Sequence, residues 1–329
     1  MKTRSEVVRQ QRALHKQHGV AVITALLLTT LAITVVASLF WQQQVQVRSI
    51  ENQRLQLQKQ WILRGALDWA ALILREDAKH SSIDDLDEPW AVPLAETRLD
   101  QYVENDRDTT NGTPNETNIS RDISDASLSG NISDAQARYN LTDLSANGLV
   151  NPAEVAAFER LLSSMQLDPA LAQATADVMA AAQTKPANAT DPQPMMLTQL
   201  DDLLAVPGFT PEALDTLKNF VIFLPPGAQA SVNVNTASAE VLAAVIGTLS
   251  LADATTLVSS RKSASFRDIS DFSNRLQGIP VAAFANKLSV TTQYFLVNGK
   301  VRLRRAGQEV LALVERKNLT TKILWIREY

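Results

Sequence analysis

The chain has 329 residues, 45% of them hydrophobic, enough for a sizeable core and for two or three structural units. It has no cysteine, which excludes disulfides, thiol nucleophiles and cysteine-ligated metals. The net charge of −4 is uneven: Lys2, Arg4, Arg9, Arg12 and Lys16 against Glu6 give residues 1–19 a charge of +4, so the remainder carries −8 and argues against a nucleic-acid surface.

Residues 20–41 contain no charged side chain. About 20 residues at 1.5 Å each span the roughly 30 Å hydrocarbon core, so this segment is long enough to cross a bilayer as a helix. The basic flank before it is expected to stay cytoplasmic, with the acidic remainder on the other side. An ordinary signal-anchor helix explains most of this. No Ala-x-Ala cleavage site follows the apolar run, and the one glycine of the region, Gly19, precedes it. The order basic, Gly, apolar resembles a prepilin-type leader, which implies cleavage between Gly19 and Val20 by a prepilin peptidase and methylation of the new amino terminus. Most pilins carry Glu at the fifth mature position, and here that position is Thr24. The departure implies a subunit with no neighbour whose amino terminus a carboxylate must meet, such as one at a tip.

No proline occurs between residues 20 and 88, so the helix is expected to run some 55–60 residues, on the order of 85 Å. Leu55, Ile62, Ala66, Trp69 and Ile73 recur at helical steps and read as the face laid on a globular domain, the tryptophans packing in the core. The polar stretch 104–120 reads as a surface loop, and Gly130-Asn131 as the turn between two short strands. Asn151-Pro152 starts a helix with Asn as cap, Leu167-Asp168-Pro169 starts another, and residues 185–194 form a linker. Two short helices flank Pro207-Gly208, and residues 220–224 form a buried run.

The sequence Ser231-Val232-Asn233-Val234-Asn235-Thr236-Ala237-Ser238-Ala239-Glu240-Val241-Leu242 joins a short strand to a helix, with Asn235 or Thr236 as the expected cap and Ser238 or Glu240 supporting the first turn. It resembles the start of a helix-hairpin-helix unit of the competence DNA-receptor type. DNA-binding hairpins present a Gly-x-Gly turn with bases nearby. Here the turn has Gly247 alone, and Arg261, Lys262 and Arg267 are the nearby bases. From residue 288 the period becomes two. Asn298-Gly299 reads as a type I′ hairpin turn, with further strands at 309–316 and 322–327. The histidines are His15, His18 and His80, and no nucleophile elbow or metal-ligand cluster is present, so no enzyme is expected.

Four features in order carry a resemblance across nearly the whole chain. They are the Gly19/Val20 leader without the fifth Glu, the long helix to Trp69, the entry Ala137-Arg138-Tyr139-Asn140-Leu141, and the motif at 232–242. In these the chain resembles the type II secretion system protein K family of minor pseudopilins. The resemblance implies an α+β fold, a pilin-like long N-terminal helix packed on an antiparallel sheet with a large α-helical, SAM-like or helix-hairpin-helix-like insertion. The expected parts are a leader at 1–19, the transmembrane and amphipathic helix at 20–80, the first pseudopilin portion at 81–145, SAM-like units at 146–230 and 231–287, and C-terminal strands at 288–329. It implies a subunit that caps the pseudopilus tip and helps initiate its assembly for export of folded periplasmic proteins. It also implies other minor pseudopilins, the prepilin peptidase and the inner membrane as partners, with no nucleic acid. A membrane-anchored DNA receptor of an uptake system is the alternative. No cofactor is required by this reading. Calcium is possible through acids such as Asp122, Asp125 and Asp134, since some family members resemble calcium-binding proteins.

Overall fold

A computed structural model describes residues 4–99, 126–184, 193–228, 231–276, 282–303 and 306–329, and for 4–19 the helical backbone alone. The expected loop at 104–120 lies outside the described residues. The chain divides into two units, Met1–Trp61 and Ile62–Tyr329. Helix α1 runs Arg4–His80. In the first unit its large apolar residues between 20 and 41 are each half or more exposed, which makes the segment incompatible with water and suited to lipid.

The second unit is built on a five-stranded antiparallel sheet of β1 (Leu94–Arg98), β2 (Ala126–Asp134), β3 (Tyr294–Leu303), β4 (Ala306–Lys317) and β5 (Thr320–Glu328), ordered β1-β2-β3-β4-β5. Neighbours in space at the β2/β3 step are some 160 residues apart in sequence, because the helical insertion intervenes. One face of the sheet buries Phe295, Val297, Ala312 and Val314 against Leu67, Ala70 and Leu74 of α1 and against Trp90. The other face buries Tyr294, Leu296 and Leu313 against Ile222 and Leu224 of the insertion. This explains why four consecutive residues, 294–297, are all buried, whereas Asn298, Lys300 and Arg302 further along β3 are exposed.

The insertion comprises α2 (Pro152–Ser164), α3 (Ala170–Gln183), α4 (Pro211–Leu217), α5 (Ala239–Val245), α6 (Leu251–Arg261) and α7 (Ile269–Arg275). The side chain of Asn151 accepts from Ala153 N, and Pro152 opens α2, as the sequence suggests. A single hydrophobic core, with Phe158, Leu161, Leu162, Phe266 and Phe272 fully buried, runs through both halves of the insertion. Arg160 of α2 reaches across, its Nε donating to Ala244 O of α5 at 2.9 Å.

Three expectations are corrected. Gly130-Asn131 and Asn298-Gly299 are not turns. Both lie within long strands, where Gly130 pairs with Gly299 and Asn131 with Asn298. The glycines serve close approach: a Cβ on Gly130 would lie 2.5 Å from Asn298 O. The hairpin closes further on, with Leu303 opposite Ala306. On α1, the buried line is Leu63, Leu67, Ala70 and Leu74, one position from the expected stripe, of which Ile62 and Ile73 flank it half-buried. Trp69 is 48% exposed and borders an apolar groove of about 290 Å³ with Trp90 and Leu94. A helix residue one step from the stripe centre turns 100° away, which suffices to bring it out of the core.

The two facing glycines give a differential test. Gly130→Ala is expected to destabilise the detergent-solubilised chain by about 2 kcal/mol, because the new methyl meets backbone that cannot step aside. In Gly299→Ala the methyl would make ordinary contacts with Val310 at 3.4 Å and Leu63 at 3.6 Å, so the loss should be distinctly smaller. Chemical denaturation of both variants checks this.

Candidate functional site

Two parts of the chain carry recognisable work: the apolar half of α1, and a buried polar junction where α1, the sheet and the insertion meet. In the first, Thr24 Oγ1 donates to Val20 O and Ala21 O, both at 3.0 Å. The hydroxyl is thereby satisfied by its own helix and needs no partner in lipid. Val20 is exposed, and only the helical backbone is described at Gly19.

The junction is centred on Arg316 of β4, which is buried. Its Nη1 donates to Asp77 Oδ2 at 2.8 Å and to Leu74 O at 3.3 Å, near the end of α1. Its Nη2 donates to Asp84 Oδ1 and to Thr292 O. The guanidinium lies 4.6 Å over the Phe295 ring. Asp84 Oδ2 accepts from Thr292 N at 2.7 Å. Two carboxylates share this one guanidinium, and burial pushes the pKa of both Asp84 and Asp77 up, with Arg316 pulling against it.

The motif at 232–236 enters the junction from the insertion. Val232 and Val234 fill the core while the polar residues fasten it. Asn233 Nδ2 donates to Asp84 O at 3.0 Å and to Asp134 Oδ2 at 2.9 Å. Thr236 Oγ1 donates to the same Asp134 oxygen at 2.6 Å. Asn235 exchanges two bonds with the backbone of Phe266, through Oδ1 at 2.8 Å and Nδ2 at 2.9 Å. Gln136, one turn past β2, accepts from Gln293 N and Thr292 Oγ1 and donates to Ser231 O. The expected capping role of Asn235 or Thr236 is therefore wrong. Ser238 caps α5, accepting from Val241 N at 3.3 Å, and the two earlier side chains hold elements together. A cap and a long-range clasp use the same residue types, so the sequence signal could not separate them.

The acids raised as calcium ligands divide. Asp122 and Asp125 lie outside the described residues. Asp134 is buried and its oxygens accept from Gln136 N, Asn233 and Thr236, so its carboxylate is occupied. Burial raises its pKa against those hydrogen bonds. Among the described residues, Asp77, Asp84 and Glu88 bring three carboxylates close together, but Arg316 stands between two of them as their counter-ion. That donor set does not fit a divalent cation without displacing the arginine.

Of the bases near the hairpin, Lys262 and Arg267 are exposed and Arg261 is turned into the fold. Arg261 is buried, donating to Val234 O, Ala237 O and Thr236 O. Burial lowers its pKa to about 10. At Gly247 a Cβ would lie 3.0 Å from Cζ of Arg160, so the guanidinium of α2 packs against that turn. The entry motif is likewise structural. Tyr139 stacks on Phe158 with ring centroids 5.8 Å apart, and its hydroxyl donates to Glu154. Asn140 Oδ1 accepts from Leu224 N and Thr142 N, pinning the insertion's entry strand to its exit strand.

The family described as type II secretion system (T2SS), protein K, matches in two pieces, its first domain over residues 137–226 and a second over 232–291. A protein of Pseudomonas aeruginosa named type II secretion system protein K is 28% identical over 91% of this chain and 89% of its own length. Among solved structures, a chain of the GspK-GspI-GspJ complex of the enterotoxigenic Escherichia coli type 2 secretion system matches with a TM-score of 0.59. It is 18% identical, over 86% of this chain and 99% of the other, and so supports the fold.

Two outcomes test the energetics of the junction and of the entry motif. Arg316→Met leaves Asp77 and Asp84 buried without their cation and should cost about 3–5 kcal/mol at pH 7.5, partly recovered by adding Asp77→Asn and Asp84→Asn. Asp143 is raised from 3.8 to about 6, by burial first and Glu154 next, with Asn140 and Lys287 opposing. A raised carboxyl favours the folded state when protonated, so this contribution is complete below about pH 4 and is lost as pH rises to 6. After allowance for the partial exposure of Asp143, Asp143→Asn should be more stable than wild type by about 1 kcal/mol at pH 7.5, the advantage vanishing near pH 4. Urea titrations across that range measure it.

Proposed function

We propose that this chain, which belongs to the type II secretion system protein K family, caps the tip of the pseudopilus as a minor pseudopilin and helps initiate its assembly for export of folded periplasmic proteins. The observation that carries the reading is the composite architecture. A pilin-like body, helix on antiparallel sheet, has its second sheet face covered by a clasped helical insertion. A body with both sheet faces covered has less surface left for another subunit to stack upon. The clasp at Asp84, Asp134 and Asn233 makes that cover a fixed part of the fold.

In this reading the apolar half of α1 anchors the subunit in the inner membrane, with the basic flank cytoplasmic and the globular part periplasmic. The prepilin peptidase cuts between Gly19 and Val20, and the freed helix then packs among the apolar helices of a filament. Thr24 supports the terminal position. A neutral, self-bonded side chain replaces the carboxylate that would meet a neighbour's amino terminus. The partners are other minor pseudopilins, a proposal supported by the Escherichia coli neighbour, a chain of the GspK-GspI-GspJ complex.

Intact-mass analysis of the membrane-extracted protein is expected to give an amino terminus at Val20 carrying one methyl group. An uncut Met1 would refute processing at Gly19. Gold labelling of purified pseudopili is expected to mark one end of each filament. Label repeated along the shaft would refute the cap.

A further inference from the structure

A second cavity lies on the sheet face that the insertion covers, with a volume of about 270 Å³. Its floor is apolar, formed by Phe223, Leu296, Leu311 and Trp325, and its wall carries Arg138, Lys218 and Arg327 with Asp201. Two of the three cations are engaged. Lys218 pairs with Asp215 at 2.6 Å, and Arg327 donates to Thr198 O at 3.2 Å while lying 4.2 Å over the Trp325 ring.

Arg138 differs. It sits at the mouth of the insertion, between Ala137 and Tyr139, and is half-buried. Its backbone N–H donates to Ala135 O, but its guanidinium has no hydrogen-bond or ion-pair partner among the described residues. The charge that acts on it is Asp134, whose oxygens are taken by Gln136, Asn233 and Thr236. Burial pulls the pKa of Arg138 down, so its charge is held at a cost that its present neighbours do not offset. A guanidinium presents five donors in a planar fork that matches a carboxylate.

We propose that this cavity is a binding site for a carboxylate carried on an apolar stem, the acid meeting Arg138 and the stem lying on Trp325 and Phe223. Charge and shape agree on that class. The lining cations outnumber Asp201, so an anion is favoured. The apolar floor favours a carbon skeleton over a bare inorganic ion. The carboxylate has two sources, a free organic acid or an acidic side chain presented by a protein segment.

The test uses the full chain in detergent with 3-phenylpropionate as probe, its neutral amide as control, and an extended pentapeptide carrying one central Glu against the same peptide with Gln. Calorimetry is expected to show binding of the acid and not the amide. Arg138→Gln should weaken it by about tenfold or more, and Arg138→Lys by less. Arg327→Gln, also on the cavity lining, should weaken it too, and this variant serves if Arg138→Gln does not fold. Tighter binding of the Glu peptide than of the free acid assigns a protein segment as the source, and the reverse assigns a small acid. Equal binding of acid and amide, an unchanged affinity in these variants, or no binding of either carboxylate probe overturns the proposal.

Discussion

The fold depends on one buried guanidinium. Arg316 on β4 reaches Asp77 at the end of α1, Asp84 in the connection that follows, and the Thr292 carbonyl before β3. These groups come from three separated stretches of chain, so the ion pair fixes where α1 ends against the sheet. Buried charges contribute little net stability compared with apolar packing, but they tolerate no alternative register, because any slip strands a charge in the core. The apolar layer of Leu67, Leu74, Trp90 and Phe295 supplies attraction without direction. Arg316 supplies the direction.

The insertion is held by the same logic, one shell outward. Asp84 is tied to Arg316 through its carboxylate and to Asn233 through its carbonyl, so the charge network and the clasp share a residue. Asp134 closes the loop, taking Asn233 and Thr236 at the end of β2. A helical domain of some 150 residues thus attaches to the sheet through a few directional bonds and the Ile222–Leu224 contact, rather than through a long linker. For a subunit proposed to end a filament, this matters: a cover that swung freely would not block stacking.

The apolar half of α1 answers to a different solvent. Its side chains find no partners within the described chain, and its threonines bond back to their own helix. Such a segment is stable in lipid or among like helices, and both environments make the same demand, an apolar surface with every polar group satisfied internally. One sequence can therefore serve first as anchor and then as filament core.

The sequence by itself determined the elements governed by local or one-dimensional rules. The apolar run at 20–41, the Asn151-Pro152 helix start and the strands at 309–316 and 322–327 are legible because length, capping chemistry and alternation are read along the chain. The α+β class and the family resemblance were also legible, since both rest on the order of motifs. Tertiary structure alone decided the rest. Gly130 and Gly299 look like turns because a turn and a close strand crossing both exclude a Cβ, and the difference appears only when the two strands are placed side by side. Asn235 and Thr236 look like caps because their partners, Phe266 and Asp134, lie 31 and 102 residues away. Arg316 and Arg138 look like any surface arginine. Only packing separates them, burying one among four acceptors and leaving the other on a cavity wall with its guanidinium unpaired among the described residues, because desolvation is a property of the neighbours and not of the residue.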